Sequence, residues 1–580
     1  MKQTSVTGKP SVDRPWMKYY PQALLDMIQL PDCTLEQYLR EHCPGMEVPA
    51  VEYYGEQIRW ASVFEETDQI ARSLRALGFG EGDQIPTFWR MVPEFVPMLL
   101  AAERIGASIL CRDNTIEENV EAAVKSGAKA IFVHDFLTQK ELEKFRKGGI
   151  QTIVVLPTMQ HGSRKDMPEH NRECLDSYYI GQLCSAKETL SWDMFLKIGN
   201  YYVGDLYAPT DTHRPLYRCY TSGSTGPSKQ VIHSADTMLG IICQMNFYGS
   251  AEGFRPNWLV TCLPPSLVAV VVCMVLLPMA SNKLLILDPF VFEEDVDLEI
   301  MRYKANNWPQ IPLFMETIMR SKRIPDDYDM SHLLAGGAGC EAINNNQLRR
   351  AQKYFDSHGC KFRYTTGYGC SEAGSNVTLH MSPKPLGNGN VGVPLPLSII
   401  SIFKPGTQEE LGYNQVGEIC KTGVGNMLGY DDPKATAKAL QLHQDGNVWL
   451  HMGDLGYMDE DGVIYVVTRG QSPRHGGGYL DIQTMENRVA DADIPGIDDE
   501  FFVNCPDEEH EGCFLPYLFV VLKPGHTVDD IRDAVDACLE PHMRPEEIIA
   551  LKERPFWHFK TNRIGLSKEI IASRRLENAV

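Results

Sequence analysis

Tyr220 to Lys229 reads YTSGSTGPSK. Hydroxyls, two glycines, a proline and a terminal lysine are packed into ten residues. Glycines let a backbone approach a ligand closely and adopt positive φ. Successive N–H groups then form an anion nest, and Ser and Thr hydroxyls add donors at little steric cost. Thr221, Ser222, Gly223, Ser224, Thr225, Gly226 and Lys229 therefore suit a polyphosphate. A flexible surface loop is the plain alternative for such a stretch taken alone. The spacing is not that of a Walker loop, because the lysine does not follow a glycine.

Around this loop, segments of helical period alternate with short apolar strands, which predicts α/β layering. EETDQIARSLRALG places Ile70, Leu74 and Leu77 on one face and stops at Gly78. AIFVHDF, TIVVLP and KLLILDPF read as buried strands, and DLEIMRYKANN as a helix. The glycine-rich TRGQSPRHGGGYLD reads as a hinge. FFVNC, PYLFVVLKPG and TVDDIRDAVDACL follow, the last with Thr527 and Asp530 spaced as a capping box. The expected division is a large N-terminal α/β domain, residues 1–468, and a small mobile α+β domain, 469–580.

Composition narrows the function. The net charge is −21, from 55 basic and 76 acidic side chains, which argues against a nucleic-acid partner bound through a basic surface. Sixteen cysteines without repeated C-x-x-C spacing, and an opening that lacks an apolar leader, read as reduced thiols in a cytoplasmic protein. Trp258 to Asn282 carries no charge, but Pro264 and Pro265 leave only about 15 uninterrupted residues, short of the ~20 a spanning helix needs. A buried helix over Leu267–Leu277 is expected instead, walling an apolar pocket.

The loop resembles the phosphate loop of the adenylate-forming superfamily, which includes acyl-CoA synthetases. Further landmarks follow in that superfamily's order. LLAGGAGCE, with Gly336, Gly337 and Ala338, is similar to the adenine-side glycine turn. YGCSEAG, Tyr368–Gly374, resembles the YG-x-T-E element. GEICKTGVGNMLGY, Gly417–Tyr430, and the GDL of HMGDLGYMDEDG also match. The resemblance implies an ATP-, Mg²⁺- and coenzyme A-dependent ligase that makes an acyl-adenylate from a small carboxylic acid and then a thioester. It places Tyr368 against adenine, Ser371 at the α-phosphate and Glu372, with Thr225, on Mg²⁺. Asp454 and Arg469 would hold the ribose, and Gly477 and Gly478 would shape a slot for the pantetheine arm. The lysine of the superfamily's P-x-T-x-x-G-K element aligns with Arg563, a catalytic cation in its place, with Lys560 and Lys568 as competitors.

Gln471 stands where the hinge usually has Asp or Lys, and Met452 where the GDL turn is usually preceded by threonine. The stretch VTCLPPSLVAVVVCMVLL has no acid to hold an ammonium, so an apolar or aromatic acid is expected rather than an amino acid. No carrier domain is seen after Lys568, so a free-standing ligase is expected. A separate carrier protein or an amine as acceptor, a homodimer, and a weakly catalytic nucleotide-binding relative stay open.

Overall fold

The computed structural model describes residues 7–112, 115–179, 188–221, 228–246, 255–469, 474–476, 478–557 and 559–577, Arg469 by its backbone alone. An eight-stranded sheet forms the first layer, in the order Gly429–Tyr430, Gln230–Ser234, Pro215–Tyr220, Ser108–Cys111, Gln84–Phe88, Ala130–His134, Thr152–Leu156, Leu190–Ser191. Its central strands are parallel and buried on both faces, which is why they read as unbroken apolar runs. Only Gln230–Ser234 and Gly429–Tyr430 run antiparallel to their neighbours.

Helix Trp60–Ala76 packs against helices Phe95–Ile105 and Trp192–Gly199, with Ile70 and Leu74 fully buried. It starts earlier than the sequence reading placed it and ends before Gly78, whose φ of +85° suits glycine. Capping boxes open the helices after Thr115, Thr138 and Asn344, each worth about 1 kcal/mol.

A second sheet orders Asn257–Thr261, Leu284–Asp288, Pro49–Tyr53 and Glu56–Arg59. The third is antiparallel and carries Gly417–Gly423, Val448–Met458 and Ile464–Arg469. One continuous core runs through all three sheets, from Trp16 to Ile464. The uncharged stretch opens as the strand Asn257–Thr261, and its later part is helical and buried, with VVVCMVL, Val270–Leu276, wound as a π-helix before Leu277–Ala280 returns to α. Among the described residues no helix is long and apolar enough to cross a membrane, and the described cysteines form no disulfide.

The C-terminal part has its own α+β core. Three strands, Ile497–Pro506, Phe514–Leu522 and Glu547–Leu551, form one sheet with helices Ile482–Asp491, Val528–Cys538 and Arg563–Glu577 around it. Alternation along the strands sends Phe502, Leu518 and Val520 into one cluster and Phe501, Val503 and Phe519 into another. The sequence reading recognised the two longer strands and the helix that follows Thr527. It missed Glu547–Leu551 because EIIAL is short and its alternation is interrupted.

This part meets the large one through polar groups. Asn345 N donates to Asn487 Oδ1 at 2.9 Å, Asn344 Nδ2 to Glu500 O at 3.0 Å, and Arg349 Nη1 pairs with Asp491 Oδ1 at 2.9 Å.

Candidate active site

The phosphate-loop motif closes the hairpin between Pro215–Tyr220 and Gln230–Ser234, at the carboxyl end of the parallel strands, where ligands bind in such sheets. Its base is tied by Thr221 N to Lys229 O at 2.9 Å, Lys229 N to Thr221 Oγ1 at 3.0 Å and Ser228 Oγ to Thr221 O at 2.6 Å. Ser222, Gly223, Ser224, Thr225 and Gly226 lie outside the described residues.

Sheet register brings two further motifs to this hairpin. Tyr430 pairs with Val231, and Lys229 Nζ sits 5.0 Å from the centroid of its ring. The Tyr430 hydroxyl donates to Glu372 Oε1 at 2.7 Å, and Met427 N donates to Glu372 O at 2.8 Å. Ser371 sits in the same short 3₁₀ turn, and its carbonyl accepts from His233 Nε2 at 2.8 Å. Burial pushes His233 down to about 4, so the ring is neutral and serves as a fixed donor.

The adenine-side turn forms a strand, Gly337–Ala338, parallel to Thr365–Thr366, and Gly367 N donates to Ala338 O at 2.9 Å. A Cβ on Gly336 would stand 2.2 Å from the Phe362 ring, and one on Gly337 would stand 2.7 Å from Thr365 O, so larger residues would pry the two segments apart. This pairing delivers Tyr368, whose hydroxyl donates to Asp454 Oδ2 at 2.9 Å. Asp454 stands opposite Arg469 in the antiparallel register, after Gly453 at φ +78°. Met452 Sδ lies 3.9 Å from the Tyr368 hydroxyl. Tyr368–Glu372 thus touches Asp454 at one end and Tyr430, beside the hairpin, at the other.

Arg563 is docked rather than loose. Its Nε donates to Phe502 O at 3.0 Å, Nη2 pairs with Glu486 at 2.8 Å, and Nη1 pairs with Glu341. Glu341 Oε2 also accepts from Thr561 N at 2.9 Å and Thr561 Oγ1 at 3.0 Å. The chain segment that carries Arg563 therefore sits on the rim formed by the adenine-side turn. Lys560 is half-buried, with its charge acting on Cys340 of that turn, and Lys568 lies on the exposed face of the terminal helix. Gly477 lies outside the described residues. Gly478 faces the His542 ring, and a Cβ there would come within 2.2 Å of it.

The π-helix backs Ser375–Asn376, just after the Ser371–Ala373 turn, with Cys273 Sγ 3.0 Å from Ser375 Oγ and helix Ala235–Met245 packed beside it. Three contributors escaped the sequence reading. Glu341 immediately follows the glycine turn, His233 lies four residues past Lys229, and Tyr430 ends a quoted motif without a role assigned to it. Their partners are distant in sequence, so only their positions beside recognised motifs could have flagged them.

A hairpin rich in glycines and hydroxyls, joined through one short segment to an oriented aspartate, suits a nucleotide. Residues 41–431 match the family described as AMP-binding enzyme, and the chain belongs to that family, within the adenylate-forming superfamily its motifs resemble. It is 26% identical to 4-coumarate–CoA ligase 3 of Oryza sativa subsp. japonica over 432 residues, 72% of this chain and 70% of that one. It is 24% identical to the acyl-CoA ligase SID4 of Ajellomyces capsulatus, over 89% of this chain and 86% of that one. Among solved structures, ATP-bound MatB from Rhodopseudomonas palustris superimposes with a TM-score of 0.73 at 19% identity, covering 93% of this chain and 99% of the other. The anthranilate CoA ligase AuaEII, in complex with anthranoyl-AMP, superimposes with a TM-score of 0.74 at 16% identity, covering 96% and 100%. Both share this fold.

Proposed function

We propose that the protein is an AMP-forming acid–CoA ligase acting on an apolar or aromatic carboxylic acid. The observation that carries this reading is the reach of Tyr368–Glu372 from Asp454 to Tyr430 and Lys229. A nucleotide laid along that segment has its sugar at the aspartate and its phosphates at the hairpin. In the first half-reaction a carboxylate oxygen attacks the α-phosphorus and pyrophosphate leaves. In the second, the thiol of coenzyme A attacks the acyl carbon and AMP leaves. Both reactants of the first step are anions, so the chain must neutralise charge and hold the attack in line.

Glu372 suits Mg²⁺: it is a hard oxygen donor, Tyr430 fixes Oε1, and among the described residues Oε2 accepts no hydrogen bond. The ion supplies charge neutralisation on the phosphates when bound. Lys229 and the hairpin N–H groups would hold the outer phosphates, Ser371 would donate near the α-phosphate, and Asp454 with Arg469 would accept and steady the ribose. Gly336, Gly337 and Ala338 would let the adenine lie against the backbone. Arg563 would supply a cation to the reacting carboxylate once released from Glu341. Residues 469–580 would move as a unit about the 469–481 stretch, and the polar character of the contact between the two parts supports such motion.

An acid-free wall around Val270–Leu276, together with relatives named for 4-coumarate and anthranilate, supports an aromatic acid. The test is incubation with ATP, Mg²⁺, coenzyme A and a panel of aromatic and aliphatic acids. AMP, pyrophosphate and an acyl-CoA are expected. ADP as product, or no turnover with any acid, would overturn the reading. Replacing coenzyme A by a carrier protein or an amine identifies the acceptor.

A further inference from the structure

A second cluster of chemically active side chains bridges the strand that carries Asp454 and its neighbour Gly417–Gly423, outside the groups assigned to the nucleotide. Glu418 and Cys420 are two apart on Gly417–Gly423 and share a face. Cys420 pairs directly with His451, but Glu418 pairs with Leu455, so Val448–Met458 accommodates two extra residues between those pairs. That irregularity draws the Glu418 carboxylate over the His451 ring. Glu418 Oε2 lies 2.9 Å from His451 Nδ1, and Cys420 Sγ lies 3.5 Å from the same nitrogen. The oxygen, sulfur and nitrogen all fall within 4.8 Å of one another.

We propose that Glu418, Cys420 and His451 bind one borderline divalent transition-metal ion of the zinc class. Zinc bonds to imidazole, carboxylate and thiolate are about 2.0–2.3 Å, so tetrahedral ligands stand about 3.3–3.8 Å apart. The observed separations need only small rotamer shifts to meet that. A thiolate and an imidazole beside one carboxylate select a softer ion than Mg²⁺ or Ca²⁺. The second ring nitrogen of His451 is also engaged, 3.1 Å from His443 Nε2. An outer hydrogen-bond partner on a ligating histidine is the usual companion of a metal site, because it fixes ring orientation.

The surroundings suit a held ion. Cys420 and Trp449 are buried together with Phe403, and the Phe403 and His443 rings stand 4.9 Å apart, closing the outer side. On binding, the S–H bond breaks, a sulfur–metal bond forms and the proton leaves to solvent. The ion would clip Gly417–Gly423 to the bulged strand three residues before Asp454. The site stands whether or not the ligase reading holds, since none of its groups serves that chemistry.

The test is cobalt titration of the full chain after chelator treatment, with thiols kept reduced. One Co²⁺ per chain, a thiolate-to-cobalt charge-transfer band and displacement by Zn²⁺ are expected. Cys420→Ser should abolish the band, while Cys340→Ser, at an exposed cysteine, should leave it. His443→Ala should weaken Zn²⁺ binding about 10- to 100-fold. Should Cys420→Ser fail to fold, Glu418→Gln serves, and it should weaken binding at least tenfold with the band retained. No band at saturation, a band that survives in Cys420→Ser, or uptake unaltered in every variant, an adventitious ion only, overturns the proposal.

Discussion

The Tyr368 hydroxyl donates to Asp454 Oδ2 across 2.9 Å, joining positions 86 residues apart. Both side chains are nearly buried, at 9% and 8% exposure, so the bond is shielded and the carboxylate is held in one orientation.

Tyr368→Phe tests this orientation. A hydrogen bond to a charged group is worth about 1.5–3 kcal/mol, so ATP affinity should fall about tenfold or more. Asp454→Ala should lose more than Tyr368→Phe. Calorimetric ATP binding distinguishes the cases, and an unchanged dissociation constant in Tyr368→Phe would remove the aspartate from the sugar.

Tyr430 steadies Glu372 in the same way at the phosphate end. Tyr430→Phe should raise the Mg²⁺ concentration for half-maximal AMP formation about tenfold, the scale of losing an outer partner of a metal ligand. Glu372→Gln should lower kcat about 100-fold. Rates measured across a Mg²⁺ titration give both numbers.

Arg563 and Glu341 form an ion pair between positions 222 apart, linking the small part to the adenine-side turn. Arg563→Ala should slow adenylation, read by pyrophosphate exchange, more than thioester formation from preformed acyl-adenylate. Glu341→Gln frees the same guanidinium and should spare pyrophosphate exchange. A double-mutant cycle on stability should show about 1–2 kcal/mol of coupling. Equal losses in both half-reactions for Arg563→Ala would leave Arg563 a tether alone.

Glu94 offers a pH test of the core. Burial pushes its carboxyl from 4.5 up to about 8, although the His161 imidazole 4.0 Å away opposes the shift. A folded value raised above the unfolded one means stability that is fully present below 4.5 and is lost as pH rises through about 8. Glu94→Gln should match the parent near pH 5 and exceed its Tm by about 1–3 °C near pH 9, as measured by thermal melts. A constant difference across that range would refute the buried-acid account.

Much of this protein was legible in local pattern. Buried strands such as Ala130–His134 declare themselves by unbroken apolar runs, and helices by capping residues at fixed offsets, as at Thr527 and Asp530. The motifs that resemble the superfamily were readable because each needs particular residue types at adjacent positions. The absence of an acid along Val260–Leu277 was equally plain.

Tertiary structure alone decided the pairings. Neither the Tyr430–Glu372 bond, across 58 positions, nor the Glu341–Arg563 pair has a counterpart in local spacing. The meeting of Glu418 and Cys420 with His451 depends on two extra residues in one strand of a ladder. Local sequence governs dihedral preference and which face is apolar, contacts reaching three or four residues along the chain. Which distant side chains meet is set by sheet register and by where a bulge falls, and those are settled only when the whole core packs.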